Sequence, residues 1–177
     1  MSWDYNVTTK QCPCGKGLIK ETYGSNDWNQ TSYHREILCP DCLEKENKDK
    51  ALKEKRKIVA NQKINILISY FKEYYKEILM SKFSNVKTKK SIWEIAYEIG
   101  LETYSESSFY LHTKGKTLLI EEYIDRKISW NNISKLISYL EIKDTKLENL
   151  YKDAALHIKE FEDENYRLAY LRAKGKI

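Results

Sequence analysis

Turn-making residues are scarce in this chain. Of two prolines and six glycines, both prolines and Gly15, Gly17 and Gly24 lie in the first quarter. The rest is rich in Leu, Ile, Glu, Lys and Tyr, a composition that suits long helices. Histidine is scarcer still, and His34, His112 and His157 are scattered. No glycine loop of phosphate-cradling type is present, and no serine or cysteine stands in a recognisable nucleophile context, so no catalysis is expected. Asp153 and His157, one helical turn apart, read as a surface pair rather than an oriented general base. No run approaches the ~20 apolar residues of a membrane span, and the start, MSWDYNVTTK, lacks the apolar core of a secretory signal. The expected location is cytoplasmic. An excess of one charge is also missing: the net charge is +5, with both signs interspersed, which permits an anionic partner without requiring one. The many Lys, Asn, Ile and Tyr residues fit AT-rich codons, hence a low-GC bacterium or a phage or other mobile element.

What the sequence does have is four cysteines, all of them early. Cys12-Pro13-Cys14-Gly15 and Cys39-Pro40-Asp41-Cys42 flank a stretch in which the β-formers Ile19, Tyr23, Tyr33 and Ile37 recur at even spacings. Gly24 to Asp27 supplies a hairpin turn between two strands. In a reducing compartment such a set is better explained by a metal than by disulfides. Four thiolates supply the tetrahedron that zinc prefers, and a shell of four is closed to water, so the ion is structural. Cys12, Cys14, Cys39 and Cys42 are therefore the expected ligands of one Zn2+. His34 is the only nearby alternative ligand.

The pattern resembles the zinc ribbons, in which two cysteine knuckles at the ends of a β-hairpin grip one ion. The resemblance covers Cys12 to Cys42, and its first knuckle has one intervening residue where ribbons usually have two. It implies a small module whose function lies on its exposed face. Tyr23, Trp28, Tyr33 and Arg35 offer either a stacking surface for single-stranded nucleic acid or contacts to the helical part.

The expected fold is α+β, mainly α: a zinc-ribbon-like module over 1–42, a charged helical linker over 43–57 and a helical domain over 58–177. Ile64, Leu67, Ile68, Phe71, Tyr75, Ile78 and Leu79 follow the i, i+3, i+4, i+7 spacing of an amphipathic helix. Ser91 and Glu94 pair as a capping box, and Gly100 is placed to close that short helix. Ile133, Leu136, Ile137 and Leu140 mark another helix. A longer one carries Leu147, Tyr151, Ala154, Ile158, Phe161, Asn165 and Leu168 in a near-heptad stripe, with Glu160, Glu162, Asp163 and Glu164 expected on its outer face. That stripe fits pairing within a homodimer as well as packing inside its own chain.

Ile92 to Lys116 resembles a helix-turn-helix, with Ala96 as the small residue at the helix crossing and Gly100 opening the turn. The resemblance implies DNA contacts from Ser107, Ser108, Tyr110, Lys114 and Lys116, with Lys87, Lys89 and Lys90 on phosphates. Glu94, Glu98, Glu102 and Glu106 oppose it electrostatically. The leading expectation is a zinc-stabilised DNA-binding or regulatory protein. The rival is a protein-binding inhibitor or adaptor, for example a phage-encoded anti-defence factor, using its tyrosines and tryptophans as interface anchors.

Overall fold

A computed structural model describes residues 2–84, 97, 99–101, 121 and 124–174. The architecture is α+β and mainly helical, with a three-stranded sheet at its amino end. Strands β1 (Trp3–Gln11), β2 (Leu18–Asn26) and β3 (Thr31–Ile37) form an antiparallel meander in the order β1-β2-β3. Pairing runs without a bulge from Trp3↔Asn26 to Gln11↔Leu18, and from Ile19↔Ile37 to Ser25↔Thr31. The expected hairpin is thus β2-β3, and β1 is an additional strand. Trp3, Tyr5 and Val7 alternate with Asp4 and Asn6, a period of two that marks a strand, although the alternation lapses over Thr8–Gln11.

The β2-β3 turn falls later than Gly24. The buried Asn26 organises it, its side-chain Oδ1 accepting from the Trp28 N–H at 3.1 Å and the Gln30 N–H at 3.0 Å, with Asn29 at φ 56°. Gly24 instead lies inside β2 opposite Tyr5 and Ser32. A Cβ there would meet the Tyr5 ring at 2.8 Å and the Ser32 hydroxyl closer still.

Helix α1 (Pro40–Ser84) absorbs the charged stretch 43–57 and the amphipathic one after it. Pro40 occupies the first helical position, where no amide donor is lost. The exposed first half is supported by Glu44 to Lys48 at 2.6 Å and Glu46 to Lys50 at 2.8 Å, both i,i+4 pairs. Helix α2 (Trp130–Tyr139) closes with Glu141 in the left-handed region at φ 54°, where the Ile142 N–H donates to the Ile137 carbonyl at 3.1 Å. Helix α3 (Thr145–Ala173) begins at Asp144, whose Oδ1 accepts from the Lys146 N–H at 2.8 Å and the Leu147 N–H at 3.2 Å. No helix among the described residues is long and apolar enough to cross a membrane.

The chain divides into two compact units, residues 1–58 with 158–177, and residues 59–157. The second is built on Leu67, Phe71, Leu79 and Phe83 from α1, Ile133 and Leu136 from α2, and Leu147 and Ala154 from α3, all buried. The α1 stripe behaves as its spacing predicts except at Ile78, which is half exposed. Asp144 also belongs to this core's rim, accepting hydrogen bonds from the hydroxyls of Tyr75 at 2.7 Å and Tyr70 at 2.9 Å. In the first unit, Glu164 is not on an outer face as expected. It is buried, bound by Arg56 at 2.9 Å and by Arg167, a guanidinium pair that offsets the cost of burying a carboxylate.

Of the segment 92–116, only residues 97 and 99–101 are described. Gly100 does adopt φ 68°, and its N–H donates to the Tyr97 carbonyl at 2.9 Å. Lys87, Lys89, Lys90, Ser107, Ser108, Tyr110, Lys114 and Lys116 lie outside the described residues.

Candidate metal centre

The sheet delivers all four cysteines to one of its ends. Strand β1 runs into Cys12 and Cys14, the chain turns back into β2, and β3 returns to Cys39 at the same end. The loop is closed by the Cys12 N–H donating to the Gly17 carbonyl at 2.8 Å, and the Gly17 N–H donates to Cys12 Sγ at 3.2 Å. Gly15 makes the turn at φ 77°, a region in which a side chain would be strained.

The second pair departs from a ribbon knuckle. The Leu43 N–H donates to the Cys39 carbonyl at 2.9 Å, so Cys39 precedes the first turn of α1 and Cys42 sits within it. An ion pair between Lys16 and Asp41 at 2.9 Å ties the β1-β2 loop to the same turn.

All four Sγ atoms lie within 4.8 Å of one another. Around a tetrahedral zinc, Zn–S bonds near 2.3 Å put neighbouring sulfurs about 3.8 Å apart. Cys14 lies at 3.1 Å from Cys12 and 3.3 Å from Cys39, well beyond the ~2.05 Å of a disulfide. All four are free cysteines. Cys12 and Cys39 are buried, Cys42 is half-buried and Cys14 is exposed.

The thiols cannot all ionise unaided. Burial opposes a charge on Cys12, but hydrogen bonds from Cys14, Cys39 and the Gly17 amide outweigh it and bring this thiol down to about 6. The Cys12 sulfur then pushes Cys14 up to about 12. The Cys14 contact lowers Cys42, yet burial and the bonds to Cys39 and Cys12 leave it raised. Four thiolates need a cation between them, and a coordinated thiol is deprotonated outright. The donor set and its compactness fit a metal ion.

Gly17 explains why the cluster can be so tight. A Cβ on it would sit 2.6 Å from the Cys39 Cβ and 2.9 Å from its Cα, so only glycine lets the loop pass this close to Cys39. The sequence reading placed Gly15 beside the thiolates but missed this role of Gly17. Its position between two cysteine pairs was the available signal. His34 lies on the exposed part of β3 and is not among the clustered donors.

The other polar groupings have structural partners. Asp153 stands 3.5 Å from His157 Nε2 but also 2.8 Å from Lys63. Lys76 bridges Glu121 at 3.0 Å and Asp125 at 2.9 Å. Compared with protein-family models, curated proteins and solved structures, the chain matches none, so its site is read from its own residues.

Two aromatic groups cover the sheet. Tyr23 and Tyr33, directly opposite each other, have ring centroids 4.8 Å apart on one face. Trp3 and Tyr5 stack at 6.2 Å on the other. Tyr5, Tyr23 and Tyr33 are half or more exposed, as is Trp28 in the β2-β3 turn at 74%. Arg35 is engaged instead, 3.2 Å from Glu46 on α1.

Proposed function

We propose that this chain is a protein-binding adaptor whose amino-terminal sheet is stapled by one structural Zn2+ and presents its aromatic side chains to a partner protein. Four sulfur donors in a compact cluster select a soft, tetrahedral ion, and zinc suits an intracellular site with no open position for chemistry. Elemental analysis of the purified protein is expected to return one zinc per chain, without the visible charge-transfer bands of an iron-thiolate centre.

The observation that carries the adaptor reading is the exposed aromatic set, Tyr5, Tyr23, Trp28 and Tyr33, on a three-stranded sheet with balanced charge. Its strands carry Lys10, Lys20 and Arg35 against Asp4, Glu21 and Glu36. Phosphate binding needs an excess of cations, whereas protein interfaces are anchored by Tyr and Trp within a mixed-charge rim. DNA contact through residues 87–116 remains the competing outcome. The test is affinity capture from source-cell extract, with and without nuclease, using the wild type and a Tyr23→Ala/Trp28→Ala/Tyr33→Ala variant. A specific protein retained after nuclease and lost in the variant supports the adaptor. Capture abolished by nuclease, or unchanged in the variant, overturns it.

A further inference from the structure

We infer that β1 is a self-complementary edge and that two copies of this chain join through it, antiparallel, into a continuous six-stranded sheet. The inference goes beyond the adaptor reading and does not depend on the identity of any other partner.

Among the described residues, strand β1 has β2 on one side and no neighbour on the other, because the sheet order is β1-β2-β3. Such an edge offers a row of unpaired N–H and C=O groups, which proteins usually blunt with a proline, a bulge or a very short strand. This edge has none of these. Its nine residues pair one to one with β2, it contains no proline, and all but Trp3 are exposed.

The side chains specify what fits against it. A two-fold axis through Val7, the midpoint of Trp3–Gln11, is the antiparallel arrangement that pairs every residue of the strand with its copy. That arrangement sets Asp4 opposite Lys10 of the second copy, and Lys10 opposite its Asp4. Asn6 then faces Thr8 and Tyr5 faces Thr9, with Val7 meeting Val7 at the axis. Residues directly opposite across such a pair lie ~4.5–5.5 Å apart at Cβ, within reach of an ion pair. The full-length register and the charge match thus coincide, and symmetry makes each charge contact twice, as an isologous interface requires.

The electrostatic surroundings agree. Asp4 forms no ion pair among the described residues, whereas Lys10 already holds Glu21 at 2.7 Å, fixing its ammonium on the face that Asp4 shares. Asp4 also lines a shallow groove with Asn6, Tyr23 and Tyr33. In the pair, an incoming cation would neutralise the carboxylate at the groove's end. The other edge lacks this property. The same operation on β3, centred on His34, sets Arg35 against Tyr33 and Glu36 against Ser32, and Arg35 is already bound to Glu46.

The experiment is sedimentation velocity of the zinc-loaded full chain over a concentration series, with Asp4→Lys and Lys10→Asp variants run separately and as an equimolar mixture. Each variant opposes like charges at both contacts when it meets its own copy, but restores two opposite-charge contacts when it meets the other. The wild type is expected to dimerise reversibly and each variant alone to dimerise about tenfold more weakly or worse. The mixture is expected to recover the wild-type association. Zinc stoichiometry and circular dichroism establish that both exposed-site variants are folded. A wild type monomeric throughout, variants that dimerise as the wild type does, or a mixture no tighter than its components would each overturn the inference.

Discussion

At the scale of single residues, the cysteine cluster depends on a position that carries no thiol. Gly17→Ala places a methyl against the Cys39 backbone, which has no flexible end to move aside. We expect zinc to bind more weakly by about 1–3 kcal/mol, the usual cost of overpacking, when measured by chelator competition. Gly15→Ala makes only an ordinary contact, 3.9 Å from the Gln11 side chain, but at φ 77°, so it should cost less, about 1–2 kcal/mol. Tyr75→Phe removes one hydrogen bond to a carboxylate at the rim of the helical core, and about 1 kcal/mol of stability should go with it in denaturant titration. Asp144 also sets a pH dependence. The Tyr75 hydroxyl holds its carboxyl below the ordinary range, against burial, with help from Tyr70 and the Leu147 and Lys146 amides. Its folded pKa being lower than the unfolded value of about 3.9, the stabilisation is present above that value and is lost as pH falls through the folded one. The acid limb of a stability-versus-pH profile should therefore be shallower in Asp144→Asn.

Elements differ in how openly the chain announces them. Leu67, Phe71 and Leu79 in α1, and Ile133 and Leu136 in α2, are spaced for a helix and are buried, because one apolar stripe suffices to define both the element and its inward face. The charged first half of α1 has no such stripe. Its i,i+4 pairs and its continuity with the amphipathic half hold it helical. Strand β1 carries only a short signal: Trp3, Tyr5 and Val7 share one face, Thr8 to Gln11 continue it with polar residues, and pairing with β2 extends the strand through them. The end of α2 offers a further check. Glu141 occupies a left-handed conformation that costs an ordinary residue about 1 kcal/mol or more, so Glu141→Gly should raise stability by about 0.5–1 kcal/mol.

For the whole molecule, the two units have unequal means of holding themselves together. Among the described residues, the cluster at the base of the sheet adds to the cysteines only Ile19, buried, and Ile37, partly buried, too little apolar surface to order three strands. The described core of residues 59–157 draws on three helices and is built of hydrophobic side chains. Calorimetry of the zinc-loaded protein should accordingly show a transition that a strong chelator abolishes and another that it spares. After chelation, chymotrypsin should cut first near Tyr5, Tyr23, Trp28 and Tyr33. Persistence of the sheet signal in metal-free protein would contradict the staple.

The amino-acid sequence by itself determined the four-cysteine set, the α+β character and the apolar faces of the helices, because cysteine spacing and helical periodicity are local features of the chain. Tertiary structure decided the rest. It made Cys39 and Cys42 the start of a helix instead of a ribbon knuckle, and it moved Gly24 from a turn into a strand crossed by the Tyr5 ring. It also buried Glu164 between two arginines and set Trp3–Gln11 as a third strand beside β2. Each of these depends on what residues distant in the chain bring alongside, and no local pattern records that.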